Sequence, residues 1–140
     1  MKKITDKKVV TGVLNDVHYI GLSILEHALK DSGFDVVKLG AMVSIKDFIE
    51  AATEINAQAI LASSSYGMAE VDAKGFREMC EEAGLKNILL YIGGTLVVGK
   101  REWPEVEQKF KEMGFNRVYR SGILPGQVIE DLKRDLKIEG

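Results

Sequence analysis

Short apolar runs rich in β-branched residues alternate along the chain with longer segments whose apolar residues recur every three or four positions. Runs of the first kind are typical of strands that are covered on both faces. They occupy residues 9–14, 35–39, 59–62, 88–92 and 117–119. The spacing in the other segments places their apolar residues on one face of a helix. The sequence therefore predicts five strands, each followed by a helix.

Glycines and prolines at the ends of the predicted helices agree with this pattern. Gly33, Gly84 and Gly114 each lie between a helical segment and the next predicted strand. A residue that adopts positive φ ends a helix there at little cost. The chain has two prolines, Pro104 and Pro125, and both are predicted in the first turn of a helix.

Strict alternation of strands and helices predicts an α/β fold with a parallel sheet covered on both faces. We expect a single domain over residues 1–140, with a doubly wound five-stranded sheet of the flavodoxin-like or Rossmann-like (βα)5 type. The strand order 2-1-3-4-5 is taken from that class of fold and not from the residues. Ligands of such sheets bind beyond the carboxyl ends of the strands, near the point where the strand order reverses.

Composition and charge narrow the range of partners and locations. The 140 residues are 46% hydrophobic and 29% charged, which is ordinary for a globular protein. The net charge is −2 and no long block of one sign occurs, so neither nucleic acid nor a membrane is expected as a partner. The single cysteine, Cys80, lies on an apolar helical stripe, and the first apolar run is too short for a signal peptide. These features predict a cytoplasmic protein.

The loop after the first predicted strand contains a carboxylate and an imidazole instead of a phosphate-binding motif. Neither the G-x-G-x-x-G motif of dinucleotide-binding proteins nor a P-loop is present. Asp16 precedes His18 by two residues, so its carboxylate can accept the Nδ1 proton and leave Nε2 available as a metal ligand. The alternative is a surface aspartate followed by a histidine that caps the first helix.

Small residues follow the third and fourth strands. The run of serines at 63–65 leaves room for a flat ligand and offers hydroxyl groups, although an ordinary polar turn would also have this composition. Gly93 and Gly94 let a ligand approach the backbone closely, although they too could form a simple turn. Three loops of this kind at one edge of a sheet are less probable by chance than any one of them. Together they predict a ligand site.

The spacing Asp16-x-His18-x-x-Gly21, the serine that ends strand 3 and the Gly93-Gly94 pair resemble the motifs of base-off/His-on cobalamin-binding domains. The resemblance extends over nearly the whole chain and is greatest to the small (sigma) subunits of glutamate mutase, also called methylaspartate mutase. It implies that His18 binds cobalt as the lower axial ligand and that Asp16 orients His18. Ser65 stands where the family has leucine, a difference that bears on how tightly the nucleotide tail packs.

The resemblance also implies a set of cofactor-binding residues in four loops. Ser63 is expected to bond the benzimidazole of the tail, and the two glycines after strand 4 are expected to line its cleft. The full set is Asn15, Asp16, Val17, His18, Tyr19, Gly21, Ser63, Ser64, Ser65, Gly93, Gly94, Thr95, Leu96, Val97, Val98, Gly99 and Gly122.

The activity implied by the resemblance is an adenosylcobalamin-dependent rearrangement of a carbon skeleton by a radical mechanism. For glutamate mutase, the substrates are L-glutamate and (2S,3S)-3-methylaspartate. In the family, a larger catalytic subunit holds the substrate, so a partner of that kind is expected in a hetero-oligomer. The chain is expected to be inactive alone.

Two other functions are compatible with the predicted fold. Corrinoid proteins that carry methyl groups use the same histidine motif, but they usually have a helical bundle before this domain, and strand 1 begins near residue 8 here. A receiver-like signalling domain, which is not an enzyme, requires an aspartate at the end of strand 3 and a lysine at the end of strand 5. The chain has Ser63 and Arg120-Ser121 at those places, so the mutase subunit is favoured.

Overall fold

The computed structural model describes residues 6–16, 20–65, 67–96 and 101–138, with Ile20 described for its backbone only. Strands and helices alternate along this part of the chain. The strands are β1 (Lys8–Val13), β2 (Asp35–Lys38), β3 (Ala59–Ser63), β4 (Leu89–Gly94) and β5 (Arg117–Arg120). The helices are α1 (Ile20–Asp31), α2 (Ile45–Ile55), α3 (Ala69–Asp72), α4 (Phe76–Glu82), α5 (Trp103–Glu112) and α6 (Pro125–Asp135).

The five described strands form one parallel sheet in the order β2-β1-β3-β4-β5. β1 lies between β2 and β3, so the strand order reverses at β1. Near the carboxyl ends, Ser63 of β3 pairs with Gly93 of β4, and Gly93 pairs with Tyr119 of β5. The predicted fold class and strand order are confirmed.

The two faces of the sheet carry separate apolar cores, because successive side chains of a strand point to opposite faces. Helices α2 to α5 cover one face, where Phe48 and Phe76 pack with their ring centroids 5.5 Å apart. Helices α1 and α6 cover the other face through residues such as Leu29 and Leu132. Cys80 is buried in the first core, where desolvation raises the pKa of its thiol to about 11, so its predicted place in the core is confirmed.

The observed elements depart from the predicted ones in two places. β4 continues through Gly93 and Gly94, which were expected in a loop. Ladder pairing uses backbone groups only, so these glycines pair although their propensity for strands is low. The helix α3 was not predicted, because four residues make one turn and cannot establish a periodic pattern.

Arg77 connects three segments at the amino edge of the sheet. Its guanidinium donates to the carbonyl oxygens of Gly114 and Ile88, both at 2.9 Å, and to Oδ1 of Asn116 at 2.7 Å. The same Asn116 oxygen accepts from the backbone N–H of Leu90 at 2.8 Å. Arg77 therefore fixes α4 against the start of β4 and the turn before β5.

The helices of the described part of the chain are short. None of them combines the length and the apolar character that crossing a membrane requires.

Candidate cofactor-binding site

A cavity of about 180 Å³ opens at the carboxyl edge of the sheet, between the ends of β3, β4 and β5 and the helices α1 and α6. Its wall is mostly apolar or made of small residues. The helices contribute Gly21, Leu22, Leu25, Pro125 and Val128, and the segment after β5 contributes Ser121, Gly122 and Ile123. The strands and their ends contribute Leu61, Ala62, Ser63, Ser65, Tyr91, Ile92, Gly93, Gly94, Tyr119 and Arg120.

The cavity exists because side chains become smaller toward the carboxyl ends of two strands. On the face toward α1 and α6, Leu61 of β3 is followed by Ser63, and Tyr91 of β4 is followed by Gly93. A Cβ atom at position 93 would lie 3.2 Å from Cβ of Tyr119. A larger residue at position 93 would therefore crowd Tyr119 at the wall of the cavity.

Gly94 is required by the contact between two loops. Its φ of 118° lies in a region that side-chain-bearing residues rarely adopt. A Cβ atom there would lie 2.2 Å from the carbonyl oxygen of Ser64 and 2.9 Å from Oγ of Ser65. The end of β4 and the loop after β3 thus touch at a distance that only glycine permits.

Gly21 is a glycine for a different reason. It lies in the first turn of α1 and lines the cavity, and no heavy atom of the described chain comes within 4 Å of a Cβ built on it. The packing of the protein therefore does not require glycine at this position. The absence of a side chain at Gly21 leaves space where α1 borders the cavity.

Asp16 links the loops after β1, β2 and β3. Its side chain is 3% exposed, and Oδ2 accepts from the backbone N–H of Ser65 at 2.7 Å. Its carbonyl oxygen accepts from the backbone N–H of Met42 at 2.8 Å. A buried carboxylate needs such donors because desolvation disfavours its charge. His18 lies outside the described residues, so the hydrogen bond between Asp16 and His18 stays a prediction.

Two tyrosines form the floor of the cavity, and α6 fixes both of them. The hydroxyl of Tyr91 donates to Asp135, and that of Tyr119 donates to Asp131 at 2.6 Å. The two rings meet edge to face with centroids 5.8 Å apart. Burial, followed by these hydrogen bonds, raises the pKa of both tyrosines above the ordinary value, so both stay protonated donors.

Arg117 completes this network below the floor. Its guanidinium binds Asp135 through two hydrogen bonds, of 2.7 and 2.8 Å, and approaches Asp131 at 3.6 Å. The hydrogen bonds from Arg117 lower the pKa of Asp135 below its ordinary value. Gln127 donates to the second oxygen of Asp131 at 3.1 Å. The floor is therefore held by charge-assisted hydrogen bonds, which are stronger than neutral ones.

Comparisons with known proteins identify the family. The family described as B12 binding domain matches residues 7–108. The glutamate mutase sigma subunit of Clostridium cochlearium is 52% identical over 134 residues, which are 95% of this chain and 98% of that protein. The chain belongs to the glutamate mutase sigma subunit family. The family predicted from the loop motifs is thereby confirmed.

Solved structures show how widely the fold of this sigma-family chain is shared. A cobalamin-binding protein from Desulfitobacterium hafniense DCB-2 matches with a TM-score of 0.76 and 21% identity, over 94% of this chain and 60% of that one. The monomethylamine corrinoid protein of Methanosarcina barkeri matches with a TM-score of 0.73 and 19% identity, over 90% of this chain and 57% of that one. At these identities the likeness concerns the fold alone.

The structure brings together part of the cofactor-binding set predicted for this sigma-family chain. Six predicted residues line the cavity; they are Gly21, Ser63, Ser65, Gly93, Gly94 and Gly122. Asn15 is half-buried with a φ of 47°, and Thr95 is exposed. Leu96 packs in the core on the opposite face of the sheet. Val17, His18, Tyr19, Val97, Val98 and Gly99 lie outside the described residues.

Ser64 is placed differently from its two neighbours. It does not line the cavity, and its Oγ is buried without a hydrogen-bond partner among the described residues. Its backbone N–H donates to the carbonyl oxygen of Gly93 at 3.0 Å. Among the described residues, Ser64 is thus held by a backbone hydrogen bond and not by one from its hydroxyl group.

Sequence reasoning missed most of the wall contributed by α1, β5 and α6. Tyr119 was predicted only as the last residue of strand 5, and Arg120 only as the residue after it. The apolar residues of the first helix, which include Leu22 and Leu25, were interpreted only as one face of a helix. One signal was available, because Asp131 and Asp135 are four residues apart and share a face of the last helix. Two carboxylates on the apolar side of an amphipathic helix require donors, and β4 and β5 supply them.

Proposed function

We propose that this chain is the cofactor-binding subunit of a glutamate mutase, a single domain over residues 1–140 that binds adenosylcobalamin in the cytoplasm. In this proposal His18 would bind the cobalt, and the nucleotide tail would lie in the cavity between the sheet and the helices α1 and α6. The observation that carries the proposal is this cavity, which shares one sheet edge with Asp16. The match to sigma subunits over nearly their whole length supports it.

The cavity suits a flat aromatic base. An apolar cavity of roughly 150 Å³ can bind benzene, so about 180 Å³ with one open side admits an aromatic group of this class. Leu61 and Val128 offer apolar contacts, and Ser63 and Ser65 offer hydroxyl groups to a ring nitrogen or to a ribose. No carboxylate is among the described residues that line the cavity, so nothing there repels the phosphate of a nucleotide.

Asp16 would control the proton of His18. By accepting the Nδ1 proton, it would fix the tautomer in which the Nε2 lone pair is available to a metal. The hydrogen bond from Ser65 holds the Asp16 carboxylate to the loop after β3. The same carboxylate would thus couple the orientation of His18 to the loop that borders the tail cavity.

Bound adenosylcobalamin would supply a cobalt–carbon bond whose homolysis starts radical chemistry. The proposed reaction is the interconversion of L-glutamate and (2S,3S)-3-methylaspartate. The described part of this chain contributes residues for holding the cofactor, so we propose that a larger catalytic subunit holds the substrate and excludes water from it. The name of the sigma subunit relatives supports a partner of this kind.

Electron paramagnetic resonance of the bound Co(II) form tests the axial ligand. In protein labelled with ¹⁵N-histidine, the cobalt signal should show coupling to the labelled nitrogen, and His18→Ala should lose it. His27→Ala is the matched control, because the His27 side chain on α1 is 81% exposed and bonds Asp31. Coupling to the benzimidazole nitrogen in the wild-type protein, or no uptake of cobalamin, would overturn the proposal.

A second measurement tests the role of Asp16. Asp16→Asn should weaken cobalamin binding by roughly 10- to 100-fold, as expected for a residue that orients a metal ligand. Equal affinity of the variant and the wild type would contradict this role. Activity with L-glutamate should require this chain, adenosylcobalamin and the catalytic subunit together, and turnover by this chain alone would refute the division of labour.

A further inference from the structure

A buried carboxylate outside the predicted cofactor-binding set joins α1 to the sheet. Glu26 of α1 is 2% exposed, and Thr11 of β1 is fully buried. The hydroxyl of Thr11 donates to Oε2 of Glu26. We infer that this hydrogen bond makes Glu26 a positioning residue, which holds α1 at the distance from the sheet at which the cavity admits the nucleotide tail. The inference rests on the proposed function, because it assumes that the tail occupies the cavity.

The hydrogen bond lies beside the cavity on both the sheet and the helix. Thr11 pairs with Leu61 of β3, and paired residues of neighbouring strands share a face of the sheet. Leu61 lines the cavity. On the helix, Glu26 follows Leu25 directly and lies about one turn after Leu22. Both leucines line the cavity, so the contact between Thr11 and Glu26 joins the sheet side of the cavity to its helix side.

Stability alone does not explain a carboxylate at this position. A buried polar pair can often be replaced by apolar residues of the same shape without loss of stability. The neighbouring contacts of α1 with the sheet include the buried side chains of Leu22 and Leu29. Such apolar contacts are not directional, so they do not define how far a helix lies from a sheet. A hydrogen bond does, because it forms only within a narrow range of distance and angle.

The open cavity depends on a contact of this kind. Without a ligand, apolar walls gain contacts by moving together, since protein interiors pack with few voids. Leu22 and Leu25 would then move toward Leu61 and fill the space of the tail. If α1 occupied such a closed position for about nine-tenths of the time, the apparent affinity for the tail would fall about tenfold. Glu26 would thus contribute to affinity without touching the ligand.

The affinities of the full chain for cobalamin and for cobinamide, which lacks the nucleotide, test this role. Thr11→Val keeps the shape of the side chain and removes the hydroxyl group. We expect it to lower the affinity for cobalamin roughly tenfold and to leave the affinity for cobinamide unchanged. The double variant Thr11→Val/Glu26→Leu should show the same selective loss, because its α1 is not anchored either. Thr11→Ser keeps the donor and should bind both corrinoids as the wild type does.

Arg77→Met is the matched control for stability, because Arg77 bonds at the amino edge of the sheet and does not line the cavity. It should unfold at a lower urea concentration and keep the wild-type ratio of the two affinities. Circular dichroism would establish that each variant is folded. A changed ratio in Arg77→Met would show that general destabilisation is sufficient, and this result would overturn the inference. Equal weakening of both corrinoids by Thr11→Val would also overturn it, because the tail would then not be the group affected.

The behaviour of the wild type separates this inference from the proposed function. If the wild type binds cobalamin with histidine on cobalt, and Thr11→Val and the double variant bind cobalamin equally well, the role of Glu26 is refuted and the proposed function stands. If the wild type takes up no cobalamin, both fail. If it binds cobalamin and cobinamide with equal affinity, the proposed place of the tail and the role of Glu26 fail together, because the cavity then contributes nothing to binding.

Discussion

Gly21 and Gly94 border the same cavity, and replacing each with alanine should have opposite effects on stability. At position 21 the new methyl group meets no heavy atom of the described chain within 4 Å, and the backbone does not have positive φ. Alanine in a helix is more stable than glycine by about 0.5–1 kcal/mol. We therefore expect Gly21→Ala to raise the free energy of unfolding by up to that amount.

Gly94→Ala combines two costs. A side chain at a φ of 118° carries backbone strain of about 1–3 kcal/mol. The Cβ atom would also lie 2.2 Å from the carbonyl oxygen of Ser64, so one of the two backbones must move, and overpacking of this kind costs about 1–3 kcal/mol more. The expected loss is about 2–6 kcal/mol, which is a large part of the stability of a typical domain.

The effect of Gly21→Ala on binding should be the reverse of its effect on stability. Its methyl group takes up space at the wall of the cavity, and a misfit of about 1.4 kcal/mol there lowers affinity tenfold. We therefore expect cobalamin to bind Gly21→Ala about tenfold more weakly than the wild type. Urea unfolding followed by circular dichroism and titration with cobalamin measure the two quantities separately.

Gly126→Ala is the matched control for Gly21→Ala. Gly126 is also the second residue of its helix, has no heavy atom within 4 Å of a built Cβ, and does not line the cavity. It should gain similar stability and keep its affinity for cobalamin. The reasoning is refuted if Gly21→Ala unfolds at lower urea than the wild type, or if both variants bind cobalamin as the wild type does.

Three further predictions concern the contacts around the sheet. Because the pKa of Asp135 is lowered from 3.8 in the folded state, its contribution to stability is present above that pH and lost as the pH falls through the folded value. Asp135→Asn should therefore make urea stability less dependent on pH below about 4, and an unchanged slope would contradict this. Tyr119→Phe should lower the free energy of unfolding by about 1–2 kcal/mol, because Asp131 loses a donor. Denaturant titration measures this loss, and a variant as stable as the wild type would contradict the prediction. Arg77→Met should lower the free energy of unfolding by about 3 kcal/mol, because two backbone carbonyls and Asn116 lose their donor. An unchanged unfolding midpoint would refute the role of Arg77 in fixing α4 to the sheet.

The fold could be predicted from the sequence because its main determinants are local. The spacing of apolar residues reports burial, and glycines with positive φ end helices at Gly33, Gly84 and Gly114 as predicted. The end of β4 could not be predicted in this way, since the ladder bonds of Gly93 depend on backbone partners from β3 and β5. Such partners are distant in sequence and leave no local pattern.

The candidate site was predictable where several loops with ligand-type residues meet at one edge of the sheet. The loop of Asp16 stood out because it lacks the common phosphate-binding motifs, whereas Ser63 and Gly93 became informative only in combination with it. The opposite wall could not be recognised, because Leu25 on α1 and Val128 on α6 look like ordinary core positions of amphipathic helices. Periodicity indicates that such residues are covered, but it does not distinguish cover by protein from cover by a ligand.

The dependence of the cavity floor on α6 affects how this module could be excised or transplanted. The family match ends at residue 108, ahead of both β5 and α6. A fusion protein cut at that boundary would lack Tyr119 and the two aspartates of α6 that anchor the floor tyrosines. It would also lose Val128 from the opposite wall, so a graft intended to carry the pocket into another enzyme should extend through Asp135.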